Sequence, residues 1–499
     1  MEISALYSTG NVNVQSLLFG LAIFLIIRWF MALPTYNYNL PPGPIAFPII
    51  GNLPQMISGT DLYSKMKDLR KQYGDIFRLK VGSDTFVFVC KTELILEGLV
   101  KKGDQLKGRP HWVYIFDKVF QKEGITFNIG KKWKYMKKFS MSTLRDLGIG
   151  KRITEEKIHL ETEKLGELFQ SHNGKPFSLS KLMSYYSLGI IYNLMFGERI
   201  KFGEPEYEEI IEHFQLLFKH ISIFAPENFF PLFRFFRWNS PVEKVIKKQA
   251  KIRSYIRKKI AEHKETFNPE NIRDFIDFYL LSLEKEPNSE TLTEASLFQT
   301  VVDIFLAGTD TTATHLTWAF LYMAKYTDIQ EKCRKEILQI TNQNRPVTME
   351  DKPHMTYVAA TLLEVHRIAT IAALSAPHTA EVHTTLGGYD IPKDTLVAFL
   401  LMEAHSDPNY WDNPQQFRPE RWIGENNELK KNEAFVPFGS GPRMCAGVSL
   451  ANREAFLAFT NILQKFQLEK PDETPIILEG IMAGLNYAPM NTNIRAVPL

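Results

Sequence analysis

From position 296 to 326 the chain reads SLFQTVVDIFLAGTDTTATHLTWAFLYMAKY, and no other stretch constrains the fold as strongly. Apolar residues recur at helical spacing on all sides, so the segment predicts a long buried helix around which the rest of the chain must pack. Two features interrupt that pattern. Gly308 costs about 1 kcal/mol relative to alanine inside a helix, and Thr309, Asp310, Thr311 and Thr312 put polar groups in its middle. Taken alone, such a cluster is either a solvated patch of hydroxyls and one acid, or the lining of a site.

Most of the remaining sequence is also helical in pattern, for example DIQEKCRKEILQIT from 328. Short strand candidates stand at GDIFRLKVGSDTFVFVC, a hairpin with its turn at Gly82-Ser83-Asp84, and at TLGGYDIPKDTLVAFL. The expected class is mainly α with a small β portion. A length of 499 residues and 44% hydrophobic content can fill a sizeable core. A net charge of +3, from 59 basic and 56 acidic residues, gives no bulk attraction to nucleic acid. Three well-separated cysteines, Cys90, Cys333 and Cys445, form neither a disulfide framework nor a zinc-type spacing, which suits a reducing compartment.

Residues 12–33, VNVQSLLFGLAIFLIIRWFMAL, match the length a helix needs to cross a bilayer. The competing reading is a cleavable signal peptide, but no basic segment precedes the run and no A-x-A site follows it. Arg28 and Trp29 suit the interfacial end of a retained anchor. Prolines 34, 41, 42, 44, 48 and 54 then forbid a continued helix. The expected organisation is an anchor over 1–33, a stiff Pro-rich hinge over 34–56 and one large body over 57–499. The aromatic-rich, proline-interrupted FAPENFFPLFRFFRWNSPVEKV, from Phe224, is either core or a second membrane-contacting patch.

Cys445 stands in FVPFGSGPRMCAG, residues 435–447. A thiolate ligand needs nearby positive charge, a tight backbone that brings N–H groups to sulfur, and apolar walls. Phe438, Gly439, Gly441, Arg443 and Gly447 supply these, and a helix beginning near Gly447 points its positive end at the sulfur. This stretch resembles the FxxGxRxCxG signature of the cytochrome P450 haem-thiolate monooxygenases, and AGTDTT resembles their distal-helix motif. The resemblance implies the cytochrome P450 fold, with Cys445 as proximal ligand to the iron of haem b and Arg443 on a haem propionate. Ala307 and Gly308 would leave room above the iron, and Asp310 and Thr311 would form the acid–alcohol pair that relays protons.

The same resemblance reads Glu364 and Arg367 of TLLEVHRIA, which share a helix face, and Arg421 of FRPERW as a buried structural network. It places Trp133, Arg109 and His378 at the propionates. Lys137 stands where the family usually has arginine, keeping the charge without the bidentate fork. Further similarity is to the animal microsomal group that includes drug, fatty-acid and steroid hydroxylases. It implies hydroxylation or epoxidation of a lipophilic substrate with O2 and NADPH-derived electrons. NADPH–cytochrome P450 reductase would deliver them, with cytochrome b5 as a further partner. The protein would be a single-pass endoplasmic reticulum protein whose body faces the cytosol, with Lys134 and Lys138 as candidate docking cations. Pocket candidates by family position are 110–118, 304–311, 371–377 and 484–487, with Ala372, Ala373 and Ala376 leaving space. The rival functions are a haem-thiolate isomerase or dehydratase acting on peroxides, and a non-catalytic haem or lipid binder.

Overall fold

The computed structural model describes residues 14–31, 38–57, 61–150, 152–221, 223–236, 239–342, 345–472, 475–483 and 486–499. Helix α1 covers Val14–Met31. The ends of the expected 12–33 span and the side chains of Arg28 and Trp29 lie outside the described residues. Among the described residues, no helix is long and apolar enough to cross a membrane.

Residues 38–57 lie along strand β1 (Ile76–Val81). The Arg78 N–H donates to the Pro42 carbonyl at 2.8 Å and the Lys80 N–H to Asn52 Oδ1 at 2.8 Å. A Cβ on Gly43 or Gly51 would sit 2.1 Å from a β1 carbonyl oxygen, so only glycine lets the two backbones meet. Strand β2 (Asp84–Val89) pairs antiparallel with β1 through a two-residue Gly82-Ser83 turn, and Gly82 has φ +59°, as such turns require.

The helices that build the site are α2 (Gly130–Asp146), α3 (Leu179–Phe196), α4 (Pro205–His220), α5 (Pro241–Thr266), α6 (Glu294–Lys325) and α7 (Thr356–Ala369). Short strand β3 (His378–Thr379) and β4 (Leu396–Phe399) complete a four-stranded sheet in the order β1-β2-β4-β3, with β2 and β4 parallel. Helix α8 (Val448–Lys465) follows the Cys445 loop, and β5 (Gly480–Ala483) and β6 (Asn486–Pro489) form a hairpin.

Helix α6 is the axis of the body. Thr293 and Ser296 cap it reciprocally, each side chain taking the other's backbone N–H, which satisfies two otherwise unpaired donors. Its 32 residues span about 48 Å at 1.5 Å per residue. Nearly all its side chains are buried against α3, α8, α7 and β6, as the all-round apolar pattern predicts.

Candidate active site

The loop before α8 is shaped by glycines and by neighbours distant in sequence. Gly439 and Gly441 have φ of +68° and +69°, and a Cβ on Gly441 would lie 1.8 Å from the Leu99 carbonyl oxygen. The His405 ring accepts the Val436 N–H at Nε2 (2.9 Å), and the Cys445 N–H donates to the Phe438 carbonyl at 3.0 Å. Cys90 and Cys333 are buried, whereas Cys445 opens onto accessible space inside the body. Burial of the thiol raises its pKa, opposed by the Gly447 N–H, 3.3 Å from sulfur, by the charge of Lys137, and by the Val448 N–H at the start of α8. Those groups favour a thiolate, and a coordinated metal ion deprotonates a thiol outright.

Beside this loop cations converge, with Glu381 near enough to favour the charge of Arg443 but not ion-paired to it. Arg443 donates from Nε to the Lys107 carbonyl (2.8 Å) and from Nη2 to the Asn128 carbonyl (2.7 Å), but its Nη1 is buried with no partner. Its guanidinium lies 3.8 Å from the centre of the buried Trp133 ring. Arg109 is 6% exposed and donates only to the carbonyls of Thr126, Ala376 and Pro377. Burial pushes Arg443 down to about 8 and Arg109 down to about 10, and Arg109 further depresses Arg443. Among the described residues neither arginine is ion-paired. Lys137, one helical turn after Trp133, donates to the Pro442 carbonyl at 2.6 Å, and the buried His378 ring contacts the Leu106 carbonyl at 2.7 Å through Nδ1. One buried guanidinium and a second, half-buried one carrying an orphaned donor call for anionic oxygens from a ligand. A ligand with two carboxylates beside a thiolate-bound metal, such as haem, fits this donor set.

On the other side stands α6. In the middle of a largely buried helix, Ile304, Ala307, Gly308 and Thr311 retain accessible surface, as Asp310 does in part. Their spacing of three and four puts them on one stripe, so they line a space rather than face the core. Gly308 does more than leave room there. A Cβ would meet Ile191 Cδ1 of α3 at 2.5 Å, so the glycine also lets two helices pack closely, and Ser187 donates to its carbonyl at 3.1 Å.

The acid and the alcohol are not bonded to each other. Thr311 Oγ1 donates to the Ala307 carbonyl (2.7 Å), whereas Asp310 Oδ2 accepts from Asn486 Nδ2 (2.8 Å) on β6. Burial pushes Asp310 up to about 6, with the Asn486 amide opposing it. Asn486 falls in the expected 484–487 pocket segment, but sequence reasoning missed its bond to Asp310, because nothing in the order of residues announces a partner 176 positions away.

Glu364 closes a buried knot. Arg367 grips both its oxygens, at 2.9 and 2.7 Å, Arg421 Nε reaches Oε1 at 3.0 Å, Trp422 Nε1 reaches Oε2 at 2.9 Å and the Arg418 N–H reaches Oε1 at 3.0 Å. The arginines then hold the carbonyls of His405, Asp412, Asn413, Pro414 and Gln416. Trp422 and the Arg418 backbone are members that sequence spacing does not reveal. Two stacked imidazoles, His315 of α6 and His366 of α7 (ring centres 3.7 Å apart), bridge to Phe438 of the Cys445 loop, so α6 and that loop share a wall.

Of the pocket segments, Ala372 and Ala376 are half-buried, but Ala373 is fully buried in the core and leaves no space there, its carbonyl taking the Met402 N–H. Gly484 and Leu485 lie outside the described residues. Lys134 and Lys138 are exposed on α2, away from its buried Trp133 face.

The cytochrome P450 family profile matches residues 41–491. The chain is similar to cytochrome P450 2B4 of Oryctolagus cuniculus, at 36% identity over 477 residues, covering 94% of this chain and 96% of that protein. It is similar to cytochrome P450 2B2 of Rattus norvegicus at 35% over 455 residues, 91% and 92% of the two chains. With cytochrome P450 2J2 of Homo sapiens it shares 32% over 494 residues, 98% and 97%. Likeness along nearly the whole length, together with a thiol, a cation cluster and a lined helix about one site, has one outcome: the chain belongs to the cytochrome P450 family.

Proposed function

We propose that this P450 monooxygenase acts at a membrane on lipophilic substrates, with Cys445 as the thiolate ligand of haem b and Asp310 and Thr311 as its proton-handling groups. The observation that carries the reading is the pair Arg109, buried, and Arg443, half-buried with an unpartnered Nη1, beside the Cys445 loop and ion-paired to no acid among the described residues. When bound, the haem supplies O2 activation with electrons drawn from NADPH through a flavoprotein reductase, inserting one oxygen atom into the substrate.

The chain's own groups do the rest. Arg109, Arg443, Lys137 and His378, with Trp133 beneath the cations, would hold the propionates, and Phe438, Gly439 and Gly447 would shape the backbone about the sulfur. Ala307 and Gly308 would admit the small reactant. An acid near pKa 6 can both hold and release a proton at neutral pH, which is what a relay requires of Asp310. Thr311 faces the lined space and can exchange its Ala307 bond for one to water. The half-buried apolar and small residues Ile304, Ala372 and Ala376 suit a steroid, a fatty acid or a foreign hydrophobe.

The membrane reading rests on two exposed apolar groups besides the N-terminal run. Ile45 (85%), Phe47 and Ile49 belong to the Pro-rich segment, and Leu232, Phe235 and Phe236 (both 78%) to the short helix Pro231–Phe236. The β1–β2 turn joins them, Gly82 sitting against Phe229 and Phe230. Residues 1–33 would anchor the chain, 34–56 connect, and 57–499 form the catalytic body on the cytosolic face of the endoplasmic reticulum. Lys134 and Lys138 would meet the reductase or cytochrome b5. The test is the carbon monoxide difference spectrum of the reduced holoprotein. A thiolate-type Soret band is expected, and a band that is absent, or that survives Cys445→Ala, sinks the ligand assignment.

A further inference from the structure

The β5–β6 hairpin is clasped to α6 at two levels. At one, Asn486 Nδ2 donates to Asp310 Oδ2 (2.8 Å). Two turns further along, Trp318 Nε1 donates to the Tyr487 carbonyl at 3.1 Å and the two rings stack 5.7 Å apart. The Tyr487 N–H is in turn fixed to the Ile371 carbonyl at 2.7 Å, and the Met482 N–H to Asp61 Oδ1 at 3.0 Å. Asn486 therefore adjoins a fastened level of the hairpin, Tyr487 and its cross-strand partner Met482, and it is 5% exposed. Its amide is presented to α6 by a rigid frame, not by a free loop.

Among the described residues, the elements packed on this part of α6 bring Asp310 no cation. From α3 comes Ser187, on the Gly308 carbonyl, and from α8 comes Glu454, beside Thr312. Helix α7 contributes His366, stacked on His315; α4 contributes Phe214, against Phe305. Arg253 of α5 donates to Gln299, nearly three turns earlier on α6, and Tyr487 of β6 is at the level of Trp318. The acid is left with one neutral donor.

We propose that Asn486 is a positioning residue for the reaction: its amide holds the Asp310 carboxyl in place and governs its readiness to give up a proton. This rests on Asp310 serving as the relay acid. A single donor to a buried carboxylate stabilises the charged form, so its loss must drive the group toward the protonated one. The frame that fixes Asn486 includes Ile371 of the pocket wall, so the acid is referenced to the wall the substrate touches.

The test uses the resting holoenzyme and infrared titration of the protonated-carboxyl band that Asp310→Asn removes. In the wild type the midpoint is expected at about 6. Asn486→Leu should move it up by about one unit or more, roughly tenfold in proton affinity, and Asn486→Gln, which keeps an amide donor, should return it part of the way. Asn486→Ala gives the same measurement without overpacking, and the carbon monoxide spectrum verifies that each variant holds haem. A midpoint unchanged by Leu and by Ala overturns the proposal. Failure of the underlying reading looks different: Asp310→Asn would keep full coupling of NADPH oxidation to product while the Asn486 variants still shift the band.

Discussion

Around Glu364 the polar groups are tied by several bonds, many to the backbone of one stretch of chain, and the Cys445 loop is fastened through its own backbone and His405, although Arg443 keeps one nitrogen unpartnered. Glu364 alone accepts from two arginines, an indole and a backbone N–H, and its knot gathers carbonyls from 405 to 416. Around Asp310 the opposite holds: one amide from a distant hairpin, and a neighbouring alcohol bonded back to its own helix. The side proposed to hold a metal ligand is the more tightly fastened, whereas the side proposed to move protons keeps groups with bonds to exchange. Removing a group should therefore cost stability on the first side and chemistry on the second.

The largest effect is expected at Glu364. Glu364→Gln leaves the 1%-exposed Arg367 without its charge partner and weakens the tie to Arg421, a loss of about 3–5 kcal/mol. The holoprotein should fail to accumulate, read as loss of the thiolate-type carbon monoxide band. A variant with wild-type haem content and melting temperature would break the comparison. Thr311→Ala should behave in the reverse way. Its hydroxyl bonds only the Ala307 carbonyl among the described contacts, so stability should change by less than about 1 kcal/mol. Product formed per NADPH should fall by about tenfold to a hundredfold, within the range for loss of a proton-transferring group. Unchanged coupling would remove Thr311 from the proton path.

This asymmetry also decides what the sequence discloses. Gly439 and Gly441 are readable because each takes a positive φ in a turn, though Gly441 also answers to the distant Leu99 carbonyl, and the Glu364–Arg367 pair because i and i+3 share a helix face. Helix α6 announces itself by its apolar period, and its polar interruption marks the site. Asn486, Trp422 and the role of Gly308 in packing on Ile191 are set by contacts between elements far apart in the chain, which no local pattern encodes. Ala373 shows the same limit from the other side: its small size suggested open space, yet the turn it occupies points it into the core. The mainly helical class was open to sequence reasoning, as was the gathering of Trp133, Arg109, Lys137, His378 and Arg443 beside Cys445, and the bond from Asn486 to Asp310 was not.

Titration should separate the two sides by sign. On the Cys445 side, His405 accepts the Val436 N–H at Nε2. Its Nδ1–H faces Thr370 Oγ1, whose own hydrogen goes to the Arg367 carbonyl, so only the neutral ring fits. Burial depresses His405 to about 3 and His366 to about 4. Between pH 6.5 and about 4 the unfolded chain then binds more protons than the folded one, and stability is lost as pH falls. Asp310, raised from 3.8 to about 6, works oppositely, its contribution being lost as pH rises toward 6. In denaturant titrations between pH 4 and 6.5, His405→Gln should flatten the dependence and Asp310→Asn should steepen it, each by about 1–2 kcal/mol over the range. Equal slopes in all three proteins would deny the difference.

The smallest effect belongs to Lys137, the one cation of the cluster that departs from the arginine usual in the family. Its ammonium donates to the Pro442 carbonyl at 2.6 Å and sits 5.5 Å from the centre of the Trp133 ring. Burial and Arg443 push its pKa down, while Cys445 and its carbonyl partner favour the charge. An ammonium is a point donor and has already used one hydrogen on Pro442. A guanidinium could keep that bond with one arm and offer a second to an anionic oxygen beside Arg443. Lys137→Arg should therefore retain haem longer than the wild type, by less than about fivefold in dissociation half-life, or under about 1 kcal/mol, with little change in coupling. Lys137→Met should shorten that half-life, because Arg443 and Arg109 would then face the ligand alone. If both variants release haem at the wild-type rate, Lys137 serves only to fasten α2 to the Pro442 turn.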